Sequence, residues 1–124
     1  MKELNDLSYK IIGCAYKVHQ KLGPGLLEST YEICLQHELN KANLKAVCQF
    51  PLPIVYDTIK LDAGYRVDIL VEDTIILELK AVDEITPVHK AQLMTYLKLS
   101  KLKLGLLLNF NVMDMQKGIN RVIM

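Results

Sequence analysis

Asp68, Glu78 and Lys80 are three charges set into stretches that are otherwise apolar, and their types are those of a cation site. Two carboxylates on one sheet face offer hard oxygen donors to a divalent ion such as Mg²⁺, which takes one or two carboxylates and keeps its other positions for water and phosphate oxygens. An ammonium beside such an ion can orient a water or offset charge building on a phosphate. Whether the three meet depends on how the chain between them folds.

That chain, Gly64 to Val82 (GYRVDILVEDTIILELKAV), reads as two strands joined by a tight turn. Val67, Ile69 and Val71 alternate with Arg66, Asp68 and Leu70, and Ile75, Leu77, Leu79 and Ala81 alternate with Ile76, Glu78 and Lys80, the period of two expected of strands. Glu78 and Lys80 therefore share a face. The turn decides where Asp68 falls, because the position numbers of every opposed pair in an antiparallel ladder add to a constant. A two-residue Glu72-Asp73 loop sets Asp68 against Leu77 and leaves Glu78 on the far face. A three-residue loop pairs Val71 with Ile75 and brings Asp68 opposite Glu78, with the backbones roughly 5 Å apart.

Asp68 followed by Glu78-Leu79-Lys80 resembles the D…(D/E)xK signature of the PD-(D/E)XK nuclease superfamily. Gly25-Leu26-Leu27-Glu28-Ser29-Thr30-Tyr31 fits the motif of the GxxExxY family, a bacterial and archaeal group placed in that superfamily. The resemblance runs almost end to end, through LELKAVDEITPVHKAQLMTYL to the apolar LKLGLLLNF stretch. It implies an α/β fold with a restriction-endonuclease-like core, a mixed β-sheet flanked by α-helices in the order α-α-β-β-β-α-β. It also implies that Glu28 faces the strand carboxylates as a third acidic member of the site. Gln92 and Tyr96 resemble the QxxxY element of RecB-like members, which helps hold nucleic acid or orient the site.

A length of 124 residues points to a single domain spanning 1–124, large enough for a modest core. The start MKELNDLSYK has two acids before any apolar region, unlike a signal peptide, and a cytoplasmic location is expected. Cys14, Cys34 and Cys48 lack the clustered spacing of a zinc or iron–sulfur site and read as small buried apolar residues. The formal charge of +1 conceals segments of 0 over 1–59, −4 over 60–85 and +5 over 86–124. An acidic hairpin followed by a basic tail suits a cation site flanked by a phosphate-binding surface, although charges also fall wherever solvent is.

Leu7, Ile11, Cys14, Ala15, Val18 and Leu22 recur at helical spacing and predict a helix from about Asn5 to Leu22, stopped by Gly23-Pro24-Gly25. A second helix is expected from about Leu26 to Lys41, burying Leu27, Tyr31, Cys34, Leu35 and Leu39. By its position alone Glu28 is a first-turn acid at the positive end of that helix. Pro51 and Pro53 confine Leu44 to Leu61 to an edge strand or a pair of short strands. Thr86-Pro87 starts a helix running to about Ser100, on which Gln92 and Tyr96 share a face and His89 is solvated or a weak phosphate contact. Lys103 to Phe110 reads as a buried strand, with Gly105 allowing close helix approach, and Gly118 to Met124 as a last edge strand.

These readings lead to a divalent-metal-dependent nuclease that hydrolyses phosphodiester bonds in DNA, with RNA as the alternative substrate. Asp68 and Glu78 would hold Mg²⁺ or Mn²⁺, with the Leu79 carbonyl as a further donor, Lys80 would act on the attacking water or the developing charge, and Glu28 would bind a second metal or a metal-bound water. Gln92 and Tyr96 would contact nucleic acid or support the site. So small a chain shows no separate DNA-recognition domain, which calls for a homodimer or a partner protein. Two rivals are a nuclease fold kept as a nucleic-acid-binding or assembly module without turnover, and a structural arrangement in which Lys80 bridges two surface acids.

Overall fold

A computed structural model describes residues 2–62 and 64–124. Helix α1 (Lys2–Leu22) buries Ile11, Cys14, Ala15 and Val18 along one stripe, as the spacing predicts, and begins three residues earlier than expected. Helix α2 (Glu28–Lys41) starts two residues late, because Gly25 is left-handed (φ 98°) and Leu27 remains extended as the N-cap, without a side-chain cap. The Tyr31 hydroxyl supplies what that cap lacks. It donates to Gly23 O (2.6 Å) and accepts from Leu26 N–H (3.1 Å), while its ring stacks on Phe110 at 4.7 Å. The glycine turn and the first turn of α2 are thereby fixed to the core, and Glu28 is aimed by them.

Strands β1 (Ala46–Pro51), β4 (Arg66–Val71), β5 (Ile75–Lys80), β6 (Leu104–Asn109) and β7 (Ile119–Ile123) form one mixed sheet in the order β1-β4-β5-β6-β7. Only β5 and β6 run parallel, joined by helix α3 (Pro87–Ser100). A 3₁₀ turn, Met115–Gly118, precedes β7. Ile69, Val71, Ile75, Leu77, Leu79, Leu106 and Leu108 pack against α1 and α2 on one face. Leu70, Ile76, Leu107 and Val122 pack against Leu93, Tyr96 and Leu97 of α3 on the other. This is the α/β, restriction-endonuclease-like architecture expected. Covered on both faces, β5 is apolar throughout except at Glu78 and Lys80.

The prolines act as anticipated: β1 is an edge strand, and after it β2 (Ile54–Tyr56) and β3 (Ile59–Leu61) form a separate two-stranded sheet. Three smaller expectations need correction. Leu27 is exposed, because it stays extended as the N-cap of α2 and does not join the buried stripe. Cys34 and Cys48 are only half-buried, since each lies at the margin of the α2 contact rather than beneath it. His89 is neither free in solvent nor available to phosphate through Nδ1, which accepts Thr86 N–H at 3.0 Å while Thr86 Oγ1 accepts His89 N–H, a reciprocal cap at the start of α3.

Candidate active site

The β4–β5 turn resolves the register. Thr74 N–H donates to Val71 O (2.9 Å) around left-handed Glu72 and Asp73, and Thr74 is left over as a third loop residue. Val71 therefore pairs with Ile75, Leu70 with Ile76 and Ile69 with Leu77, the register that sets Asp68 toward Glu78. Two non-glycine residues at positive φ cost roughly 1–3 kcal/mol each. Lys45, just before strand β1, helps hold them: its N–H donates to Glu72 Oε2 (2.6 Å), Glu72 N–H donates to Lys45 O (2.9 Å), and Lys45 Nζ meets Asp73 at 3.1 Å.

Beyond Ile69 and Leu77 the two strands part, and the carboxylates take the place of ladder partners. Asp68 N–H donates to Glu78 Oε2 (2.8 Å), and Leu79 N–H donates to Asp68 Oδ2 (2.8 Å). One oxygen of each acid is thus tied to the backbone of the other's strand, which fixes both side chains. The alternation of β4 is interrupted here, since Val67 joins Leu70 on the α3 face. On the other flank Gln49 sits at φ 54°, so β1 and β4 also fail to pair at Asp68.

Helix α2 brings Glu28 to the same place. Its carboxylate accepts Ala81 N–H at 3.4 Å, just past the end of β5, and it lines with Asp68, Glu32, Gln49 and Leu79 a cavity of about 420 Å³. A larger cavity, about 890 Å³, lies at the opposite end of the sheet beside Glu72 and Thr74, away from these acids. Burial and then the Asp68 charge push the Glu78 carboxyl up to about 8; burial also raises Asp68. Lys80 lowers both, yet among the described residues it forms no ion pair, which counts against its being a bridge between two surface acids. Gln92 donates to the Tyr96 hydroxyl (3.3 Å), and Tyr96 is largely buried against the α3 face. Burial, followed by the charges of Glu78, Tyr65 and Asp68, pushes its hydroxyl pKa up.

Three residues of the site went unread in the sequence. Glu32, one turn after Glu28 on α2, carried a signal in its spacing. Asn109 did too, as a lone amide ending an apolar run: its side chain accepts from Val82 N–H (3.2 Å) and donates to Val82 O (2.9 Å), holding the segment after Lys80. Gln49 carried none, because nothing in CQF announces a left-handed residue.

The donor set fits a hard divalent cation. It is made of carboxylate oxygens, and Glu78 Oε1 takes no hydrogen bond from the described residues, while Asp68 Oδ1 takes only a long one, 3.5 Å, from Gln49. Among the described residues no three His, Cys, Asp or Glu side chains converge as a ready ligand cluster, so Glu28 shares the cavity without completing a triad.

The family model of the PD-(D/E)XK nuclease superfamily matches residues 5–122, and the chain belongs to that superfamily. Neither a curated protein nor a solved structure matches it. Membership makes nucleic acid the ligand class and a nuclease-like activity the class of chemistry, with divalent metal ions in general use among such enzymes.

Proposed function

We propose that this protein is a Mg²⁺- or Mn²⁺-dependent phosphodiester hydrolase of the GxxExxY kind, with DNA as its substrate and RNA as the alternative. The observation that carries the reading is the reciprocal lock of Asp68 and Glu78 across the parted strands, a half-buried and a buried carboxylate facing one another with no ion-paired cation among the described residues. Asp68 and Glu78 would hold the ion, with Glu28 turned to the same cavity. A divalent ion there would supply Lewis-acid charge to the phosphate and make a bound water more acidic. Lys80, two residues past Glu78 on the same side of β5, would orient the attacking water through its N–H donors and offset charge growing on the phosphoryl oxygens. Gln92 and Tyr96 would steady the α3 side of the site.

Thermal melts and cleavage assays test this together. Opposed carboxylates repel, so Asp68→Asn should raise the melting temperature in chelator. It should also abolish the stabilisation that Mg²⁺ or Mn²⁺ gives the wild type, about 2.7 kcal/mol at one hundred times the dissociation constant. Lys80→Ala should keep that metal response while losing roughly a hundredfold or more in cleavage of labelled DNA, with RNA as the parallel substrate. A wild type indifferent to both metals, melting higher than the Asn variant, would return the lock to a structural role and leave a nucleic-acid-binding module without turnover.

A further inference from the structure

We propose that Gln49 is a positioning residue for Asp68, and that Glu32 acts by anchoring Gln49 rather than by reaching a cation itself. This rests on Asp68 being a metal-holding carboxylate. Gln49 lies in the middle of β1, yet it is left-handed (φ 54°). On either side Cys48 pairs with Ile69 and Phe50 with Val67 in one unbroken register, so no inserted residue forces the departure. An extended Gln49 would simply complete the ladder opposite Asp68.

What the left-handed backbone does is carry the amide to the two acids. Gln49 Nε2 donates to Glu32 Oε1 at 2.8 Å and reaches Asp68 Oδ1 at 3.5 Å. An amide nitrogen has two N–H groups, one for each carboxylate. Asp68 Oδ2 is already held by Leu79 N–H, so Gln49 touches the remaining oxygen and sets the plane of the carboxylate. Glu32 points its Oε1 at Gln49, which gives the amide a fixed, charged acceptor. Losing a group that orients a metal-holding carboxylate in this way typically costs roughly ten- to a hundredfold in metal affinity.

The test is a Mn²⁺ titration of the full chain, following free Mn²⁺ by its paramagnetic resonance signal, alongside melts in chelator. Gln49→Gly removes the amide and leaves a residue at home in left-handed backbone, so it should melt close to wild type. Its Mn²⁺ affinity should nevertheless fall roughly ten- to a hundredfold. Glu32→Ala should produce a similar loss, and the double variant should bind no more weakly than Gln49→Gly alone. Gln49→Asn, which tolerates positive φ but is too short to span both acids, decides the matter if the glycine variant fails to fold. Unchanged affinity in Gln49→Gly, with binding lost in Asp68→Asn, overturns this inference and spares the metal site. A further loss on adding Glu32→Ala to Gln49→Gly makes Glu32 a direct ligand and overturns its anchoring role. A wild type that binds no Mn²⁺ overturns both readings.

Discussion

Glu78 shows how a single side chain ties stability to the proposed chemistry. Its carboxyl is nearly enclosed, accepts one backbone N–H and faces Asp68, so its pKa rises from 4.5 to about 8. In the unfolded chain the same group ionises at its ordinary value. Between these two values the folded protein keeps a proton that the unfolded chain has lost, so stability falls as pH rises. The raised Asp68 carboxyl pushes the same way. In chelator the melting temperature should therefore drop from pH 5 to pH 8, with a ceiling of roughly 5 kcal/mol for the Glu78 shift. Glu78→Gln should remove most of that slope, because an amide has no proton to retain. Wild-type and Gln variants with parallel pH profiles would show that Glu78 does not titrate in this window. Saturating Mn²⁺ should flatten the wild-type profile as well, since the ion binds the ionised form.

At the scale of elements, the sites where backbone meets backbone are the most exposed to small changes. Gly105 in β6 lies beneath α3: a methyl group there would stand 2.7 Å from Leu93 Cδ1 and 2.9 Å from its Cγ. Leu93 is fully buried and has nowhere to swing, so Gly105→Ala should cost roughly 1–3 kcal/mol in urea unfolding. A variant as stable as wild type would mean that α3 is free to lift. The close approach was legible in the sequence, as were α1, α3 with its Thr86-Pro87 start, the buried β6 run and the prolines that put β1 at an edge. Each is written in local periodicity or in a residue with one backbone use. The register was legible only as a choice of two, because it hangs on whether Thr74 belongs to the turn or the strand. The pair Asp68 and Glu78 was in reach of sequence reasoning for the same reason. Gln49 and the parting of the strands were not: the strands part where carboxylates take backbone N–H groups from the ladder, and Gln49 leaves the ladder where its side-chain amide meets two acids, tertiary events without a local code.

Over the whole molecule, charge is placed differently from what its order in the chain suggests. The excess of basic residues after position 85 reads as a surface flanking the acids, but the parallel β5–β6 pair divides it. Leu104 pairs with Ile75 and Asn109 with Lys80, so Lys101 and Lys103 lie at the turn end of the sheet, beside Glu72 and Thr74. Arg121 is taken up by Ser8 and Asn5. Among the described residues the cations at the end that carries Asp68 and Glu78 include Arg66 at the start of β4, Lys80, Lys90 in the first turn of α3 and Lys117 just before β7. If nucleic acid docks at that end, its affinity should depend on salt through those few groups. Measured in chelator by fluorescence anisotropy, the log–log slope for duplex DNA should be shallow, roughly −3.6 if these four groups each neutralise one phosphate, since each neutralised phosphate contributes about −0.9. Arg66→Ala and Lys90→Ala should each reduce the slope by about one. Replacing Lys101 and Lys103 together by Ala should leave it unchanged, and a slope that flattens instead would move the binding face to the far end of the sheet, away from the carboxylates.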